Sequence, residues 1–231
     1  MKTSIRNRIR SIINVILISS LSISCWEVGK KQLQYIENQT SHKKLINEKE
    51  KIVKTQGIQK YLYDKDYDWI EISNTSINYP LVLAVDNKYY LTHDHTDETN
   101  IAGAIFYDAV DNPYHNSTTV IFGHSMRDGT MFNNLHYFPK DINRFKTSEL
   151  TISNKEETKK YKPLGFAIYD GNDPFYRELD TCDLNETKLI LKENCKYLNN
   201  IEITKDSHII ALVTCDYSID EGRLVVFYIS E

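Results

Sequence analysis

From Tyr61 to the C-terminus the chain breaks into short apolar runs separated by turn residues, and this texture constrains the fold more than any other feature. Eight runs have the length and the branched and aromatic content of strands: Trp69–Ile72, Ile77–Leu83, Ala102–Tyr107, Thr118–Phe122, Leu150–Ser153, Pro163–Tyr169, His208–Cys215 and Leu224–Ile229. Helical pieces are expected at Asn87–Leu91, Met131–Phe138 and, longer, around Asn185–Tyr197. Strands at irregular spacing with helices inserted between some of them point to a mainly β fold. A closed or nearly closed eight-stranded β-barrel with peripheral helices fits best.

The N-terminal part reads differently. Lys2, Arg6, Arg8 and Arg10 form a basic head, and Ser11–Trp26 is apolar with small polar interruptions. Charge followed by an apolar run is the layout of an export signal. No A-x-A cleavage pattern follows, so residues 1–26 are expected to be an uncleaved signal anchor, positive end inside and the remainder outside. A lipoprotein signal acylated at Cys25 is the rival, opposed by Ser22 where a large aliphatic residue belongs. Residues 27–60 are rich in Lys, Glu, Gln and Asn, with Leu33, Ile36, Leu45, Ile46 and Ile52 at roughly helical spacing. One or two amphipathic helices are expected there, with residues 61–231 as a separate domain after them.

Composition narrows the function. Net charge is −4 with both signs dispersed, and no basic stripe interleaved with aromatics marks a nucleic-acid partner. The four cysteines, Cys25, Cys182, Cys195 and Cys215, show no CxxC spacing, which argues against a structural zinc site. Cys182 and Cys195 are open to two readings, a disulfide or two unpaired thiols.

The chemistry concentrates at the C-terminus. The run Ser207–Cys215 ends in a thiol, the polar stretch Asp216–Gly222 follows, and Arg223–Ile229 is again apolar. Two strands joined in this way form a hairpin in which Cys215 lies opposite Arg223, Val213 opposite Val225 and Ala211 opposite Phe227. Cys215 and Arg223 then share one face. Each also has a plain structural role open to it, as a small buried hydrophobe and a solvated rim charge. As a pair they suit a nucleophile beside a charge stabiliser.

A thiol nucleophile needs a histidine close in space to raise its thiolate fraction. Among the seven histidines, His42 falls in the helical extension, His115 in an Asn/Ser loop, His136 in a helical piece, and His208 at the far end of the strand that Cys215 closes. His124 directly follows the strand Thr118–Phe122 in Gly123-His124-Ser125, with Asp128 placed to cap the helix after it. A competing constellation, His93-Asp94-His95 with Asp97 and Glu98, would make a metal-dependent hydrolase. It lacks an evident third ligand. A non-catalytic surface-binding module is the remaining alternative.

The residues Leu212-Val-Thr-Cys215 and Gly222-Arg223-Leu-Val-Val, together with Phe122-Gly-His124-Ser-Met-Arg-Asp-Gly-Thr-Met-Phe, resemble the sortase family. Asp68–Pro80, Asp86–Asp94, the helical extension and the helix-bearing insertion before the cysteine strand look like class B in particular. The resemblance implies a sortase-type eight-stranded barrel and a cysteine transpeptidase, with His124, Cys215 and Arg223 as the catalytic trio. It implies no cofactor and no metal. Asn87 and Leu91 fall where class B members line the substrate groove, and Val213 and Asp216 where the family contacts substrate or departs from its usual residues. The implied partners are sorting-signal peptides of surface proteins, an amine of the peptidoglycan cross-bridge, and the cell membrane through the N-terminal anchor.

Overall fold

The computed structural model describes residues 2–110, 117–172, 174–180 and 183–230, so His115 and Cys182 lie outside the described residues. The chain divides into two compact units, Met1–Leu45 and Ile46–Glu231.

The first unit is helical and belongs to α1 (Lys2–Gln56), which runs without interruption past Trp26. Its apolar side chains from Ile12 to Val28 are exposed. Among the described residues this is the one helix long and apolar enough to cross a membrane. The serines that interrupt the apolar run do not break it. Ser19, Ser20, Ser22 and Ser24 each donate a hydroxyl hydrogen bond to a backbone carbonyl three or four residues earlier. Their polarity is thus satisfied inside the helix, as an apolar medium requires.

The second unit begins with the last turns of α1. There Lys49 is buried, with Nζ 3.0 Å from Glu71 Oε2, 2.8 Å from Asn78 Oδ1 and over the Trp69 ring. Gly57 adopts a positive φ of 86°, breaks the helix, and starts the short α2 (Ile58–Leu62).

Among the described residues nine strands follow: β1 (Asp68–Ile72), β2 (Asn78–Leu83), β3 (Ile105–Tyr107), β4 (Thr118–Phe122), β5 (Leu150–Ser153), β6 (Thr158–Asp170), β7 (Tyr197–Leu198), β8 (Ile209–Cys215) and β9 (Gly222–Ser230). Hydrogen-bonded neighbours run β5-β1-β2-β3-β4-β8-β9-β6, and β6 pairs again with β5, which closes an eight-stranded barrel. The two-residue β7 is an addition to one edge of β6, where Tyr197 stacks on Phe166. Two neighbour pairs, β2–β3 and β4–β8, are parallel and the others antiparallel. Closure removes the free sheet edges that a barrel cannot leave exposed.

Some boundaries differ from the sequence expectation, each for a local reason. β6 is thirteen residues long rather than the central seven, because its charged start, Thr158–Tyr161, pairs with β5 before the apolar part pairs with β9. The helix expected to reach Tyr197 is α4 (Leu184–Asn194). It opens on a capping box between Asp183 and Glu186 and ends where Cys195 turns extended. The pieces expected at Asn87–Leu91 and Met131–Phe138 are 3-10 turns, Tyr89–Leu91 and Phe132–Tyr137. Asp128 closes a turn on Thr130 rather than capping the second of these, whose first turn follows Met131 at φ 55°. Two short helical pieces were not legible: α3 (Ile142–Lys146), capped by Asp141, and a 3-10 turn, Phe175–Asp180.

A core cluster joins one face of β8–β9 (Ala211, Val213, Val225, Phe227) to Phe175, Tyr176, Leu179 and Leu191 of the segment between β6 and β7. Strand alternation puts Cys215 and Arg223 next along that same face. They lie where the helical cover gives way to an open groove.

Candidate active site

The groove has a volume of about 350 Å³, and its lining includes Asn87, Leu91, His124, Val213, Cys215 and Arg223. Of the seven residues singled out in the sequence, only Asp216 is absent from that lining.

Three features of the backbone bring them together. The hairpin register places Cys215 directly opposite Arg223, with Val213 opposite Val225 and Ala211 opposite Phe227. The parallel β4–β8 register pairs Phe122 with Val213, so His124 and Cys215 follow at the same end of neighbouring strands. Two hydrogen bonds extend that pairing past the strand ends. Gly123 N donates to Val213 O at 3.2 Å, and the buried Thr214 Oγ1 donates to Gly123 O at 2.7 Å. Gly123 is required here for space. A Cβ would sit 2.7 Å from the Phe132 ring, which packs against it.

His124 Nε2 donates to Leu91 O at 2.8 Å. That bond fixes the proton on Nε2 and leaves Nδ1 as the second acid–base position of the ring. Arg223 uses Nη1 on the carbonyls of Glu221 (3.1 Å) and Gly222 (2.9 Å), with Nη2 3.8 Å from the Glu221 carboxylate. Its remaining donors are uncommitted among these contacts, and its side chain is one-third exposed. Cys215 is half-buried at the groove floor.

The rest of the groove rests on a residue the sequence did not single out. Asp108, with a fully buried side chain, accepts from Asn87 Nδ2 at 2.7 Å through Oδ1. Its Oδ2 finds no donor of good hydrogen-bond angle, yet Arg177 Nη2 is 2.7 Å away, so this contact is an ion pair held by charge. Asn87 in turn accepts from Ala109 N. Asn87 and Arg177, which lie on different segments lining the groove, are thereby fixed to one carboxylate. Tyr169 and Tyr176 line it as well, and burial pushes both phenols upward, Tyr169 far above its ordinary value. They serve as neutral, hydrogen-bonding walls.

Asp216 is directed elsewhere. Its carboxylate accepts from Ser218 N and Oγ and lies 3.3 Å from His136 Nδ1, and its side chain is buried. The competing histidines are also engaged with other groups. His93 stacks on Tyr89 at 4.1 Å and its Nδ1 meets Tyr89 O, whereas His95 packs edge-on against Tyr67. Asp94 is occupied by Thr96 and Asn100. Among the described residues, no group of three His, Cys, Asp or Glu is disposed to hold a metal ion.

The comparisons with known proteins concern the family and the fold. A family model described as the sortase domain matches residues 70–228. Sortase B of Listeria monocytogenes is 34% identical over 166 residues, covering 68% of this chain and 66% of that protein, just under two thirds of its length. The crystal structure of Clostridium perfringens sortase B matches with a TM-score of 0.65 at 26% identity, covering 75% of this chain and 97% of that one. Staphylococcus aureus sortase B matches with a TM-score of 0.72, covering 84% and 98%, and at 21% identity that likeness speaks for the fold alone.

Proposed function

This chain belongs to the sortase family, and from that premise we propose that it is a class B cysteine transpeptidase in which Cys215, His124 and Arg223 carry out acyl transfer from a C-terminal sorting motif to a cell-wall amine. The observation that supports this reading is the single groove lined by all three side chains, which come from the loop after β4, the end of β8 and the start of β9.

In the proposed mechanism the Cys215 thiol passes its proton to His124, the thiolate attacks the backbone carbonyl of the sorting motif, the C–N bond breaks, and the downstream peptide leaves as an amine. A thioacyl enzyme remains. His124 supplies the proton taken up by the leaving amine and later accepts one from the incoming amine. Arg223 redirects uncommitted donors to the carbonyl oxygen as it becomes an oxyanion, a role worth about 3–4 kcal/mol where it has been measured for single donors. Asn87, Leu91 and Val213 contact the bound peptide, and Arg177 and the two tyrosines complete the walls. The acceptor is an amine of the peptidoglycan cross-bridge. The N-terminal helix anchors the enzyme in the cell membrane with residues 61–231 outside, where surface proteins and cell-wall precursors pass.

The test is a panel of sorting-motif peptides incubated with the protein, read by mass spectrometry of the intact chain. A mass increase on Cys215, lost in Cys215→Ala and released by an added amine, is expected. A turnover that survives Cys215→Ala would end the reading.

A further inference from the structure

We propose that His136 is a positioning residue that fixes where β8 delivers the Cys215 thiol relative to His124. The inference rests on the reading of Cys215 as the nucleophile.

His136 lies near the end of the 3-10 turn Phe132–Tyr137. Its Nε2 donates to the carbonyl of Cys215 itself at 3.1 Å, and its Nδ1 faces the Asp216 carboxylate at 3.3 Å. The same segment is pinned at its other end to the acid–base residue. Phe132 N donates to His124 O at 2.9 Å, Ser125 bridges to Met131, and Asn133 Nδ2 donates to Ser125 Oγ. Residues 124–136 thus form a bracket, with its first residue carrying one reacting group and its last holding the backbone of the other.

The chemistry of the two contacts makes this a demanding clamp. The carbonyl of Cys215 can only accept, so Nε2 carries the proton of that hydrogen bond, while Nδ1 approaches the Asp216 carboxylate at 3.3 Å as an ion-pair contact. The Asp216 side chain is 8% exposed, and a carboxylate so buried without a counter-charge is costly. Asp216 also sets the path to Arg223. Its N donates to Gly222 O at 2.8 Å, and its Oδ1 holds Ser218 N at 2.9 Å, which closes the connection between β8 and β9. One imidazole therefore restrains the nucleophile's peptide and, through Asp216, the loop that leads to the charge stabiliser. His136 does not touch the reacting atoms, because it does not line the groove.

The experiment compares His136→Ala, His136→Arg, Asp216→Asn and the His136→Ala/Asp216→Asn double variant in the full chain in detergent. It measures kcat and KM for sorting-peptide cleavage, the rate of Cys215 alkylation, and thermal midpoints. Misplacing reacting groups by about 1 Å costs up to ~100-fold, so His136→Ala should lower kcat between about tenfold and ~100-fold, with KM little changed. His136→Arg keeps two donors and a permanent charge and should recover most of that loss, a rescue that mere space-filling would not give. Asp216→Asn should add little in the double variant, because the two residues act as one unit. An unchanged kcat in His136→Ala overturns the proposal, as does a KM that rises as much as kcat falls. If His136→Ala does not fold, His136→Arg decides: kcat near wild type supports the clamp, and kcat as low as Asp216→Asn or lower overturns it. Cys215→Ala is run alongside. Cleavage by that variant would break the nucleophile assignment itself. An inactive Cys215→Ala beside an unaffected His136→Ala would overturn the positioning role alone.

Discussion

The two ends of the parallel β4–β8 pair use the same kinds of side chain to opposite effect. At the start of the pair, His208 places Nε2 2.9 Å from Thr119 Oγ1 and Nδ1 3.2 Å from Tyr161 OH, with the Tyr161 ring edge-on to the imidazole. Burial, with a smaller contribution from the Glu157 charge, pushes the Tyr161 phenol up to about 12, so it stays a neutral partner. Both ring nitrogens are committed to groups inside the fold. At the finish of the same two strands, His124 commits one nitrogen to a backbone carbonyl, Cys215 ends its strand facing the groove, and Arg223 keeps donors in reserve. A histidine in this barrel is inert where side chains close on each other and becomes usable where the strands run out into a groove.

The largest expected effects test that contrast directly. Cys215→Ala should reduce peptide cleavage by at least about 10⁴-fold, the order found when a covalent nucleophile is removed. His124→Ala and Arg223→Ala should each cost roughly 10²–10⁴-fold in kcat, measured by peptide turnover with thermal midpoints unchanged. If His208→Ala lost activity on the same scale, the distinction between the two ends would collapse.

The sequence carried the working end of the molecule because its signals there are local. Alternation in two adjoining apolar runs fixes a hairpin register, and that register alone pairs Cys215 with Arg223. His124 was legible from its place after a strand, whereas the role of the glycine before it, which makes room for Phe132, was not. What stayed hidden depends on distant partners. Asp108 reads as a turn residue until Asn87, 21 positions earlier, and Arg177 close around it. Asp216 follows the nucleophile in sequence, yet pairs with His136, a residue that helical patterning assigns to a separate helical piece. The continuation of β6 into Lys159 and Lys160 was missed for a related reason. A strand with charged, exposed side chains shows no apolar alternation, and only its β5 partner defines it.

A middle-sized effect is expected at Asp108. Asp108→Asn keeps the size of the side chain and removes the charge that holds Arg177, while Asn87 can still find a carbonyl acceptor. Hydrogen bonds to charged groups contribute about 1.5–3 kcal/mol, so a loosened wall should raise KM for the sorting peptide on the order of tenfold, with kcat far less affected. Steady-state kinetics with the same peptide measure it. A fall in kcat at constant KM would instead place Asp108 with the chemistry of the trio.

At the inert end, the effect should be seen in stability alone. His208→Ala removes the imidazole that Thr119 Oγ1 and Tyr161 OH both contact, which should cost about 1–3 kcal/mol. The measurement is the midpoint of thermal or denaturant unfolding, with cleavage kinetics close to wild type.

The smallest effect concerns Cys195, another described thiol of this unit, and it sharpens the comparison from cysteine to cysteine. Cys195 ends α4 and packs against the core cluster beneath that helix, where burial pushes its thiol up to about 12. At about pH 8 a thiol so placed holds on the order of one thiolate in ten thousand, and the thiolate is the form that reacts. Iodoacetamide followed by peptide mapping should therefore label Cys215, which faces the groove, and leave Cys195 unmodified in the folded protein. Cys195→Ala should cleave the peptide as the wild type does. Labelling of Cys195 as fast as Cys215 would mean that the cover over β8 and β9 opens readily. The groove wall that depends on it would then be a transient surface rather than a fixed one, and the reactivity of Cys215 could no longer be credited to its place at the strand end.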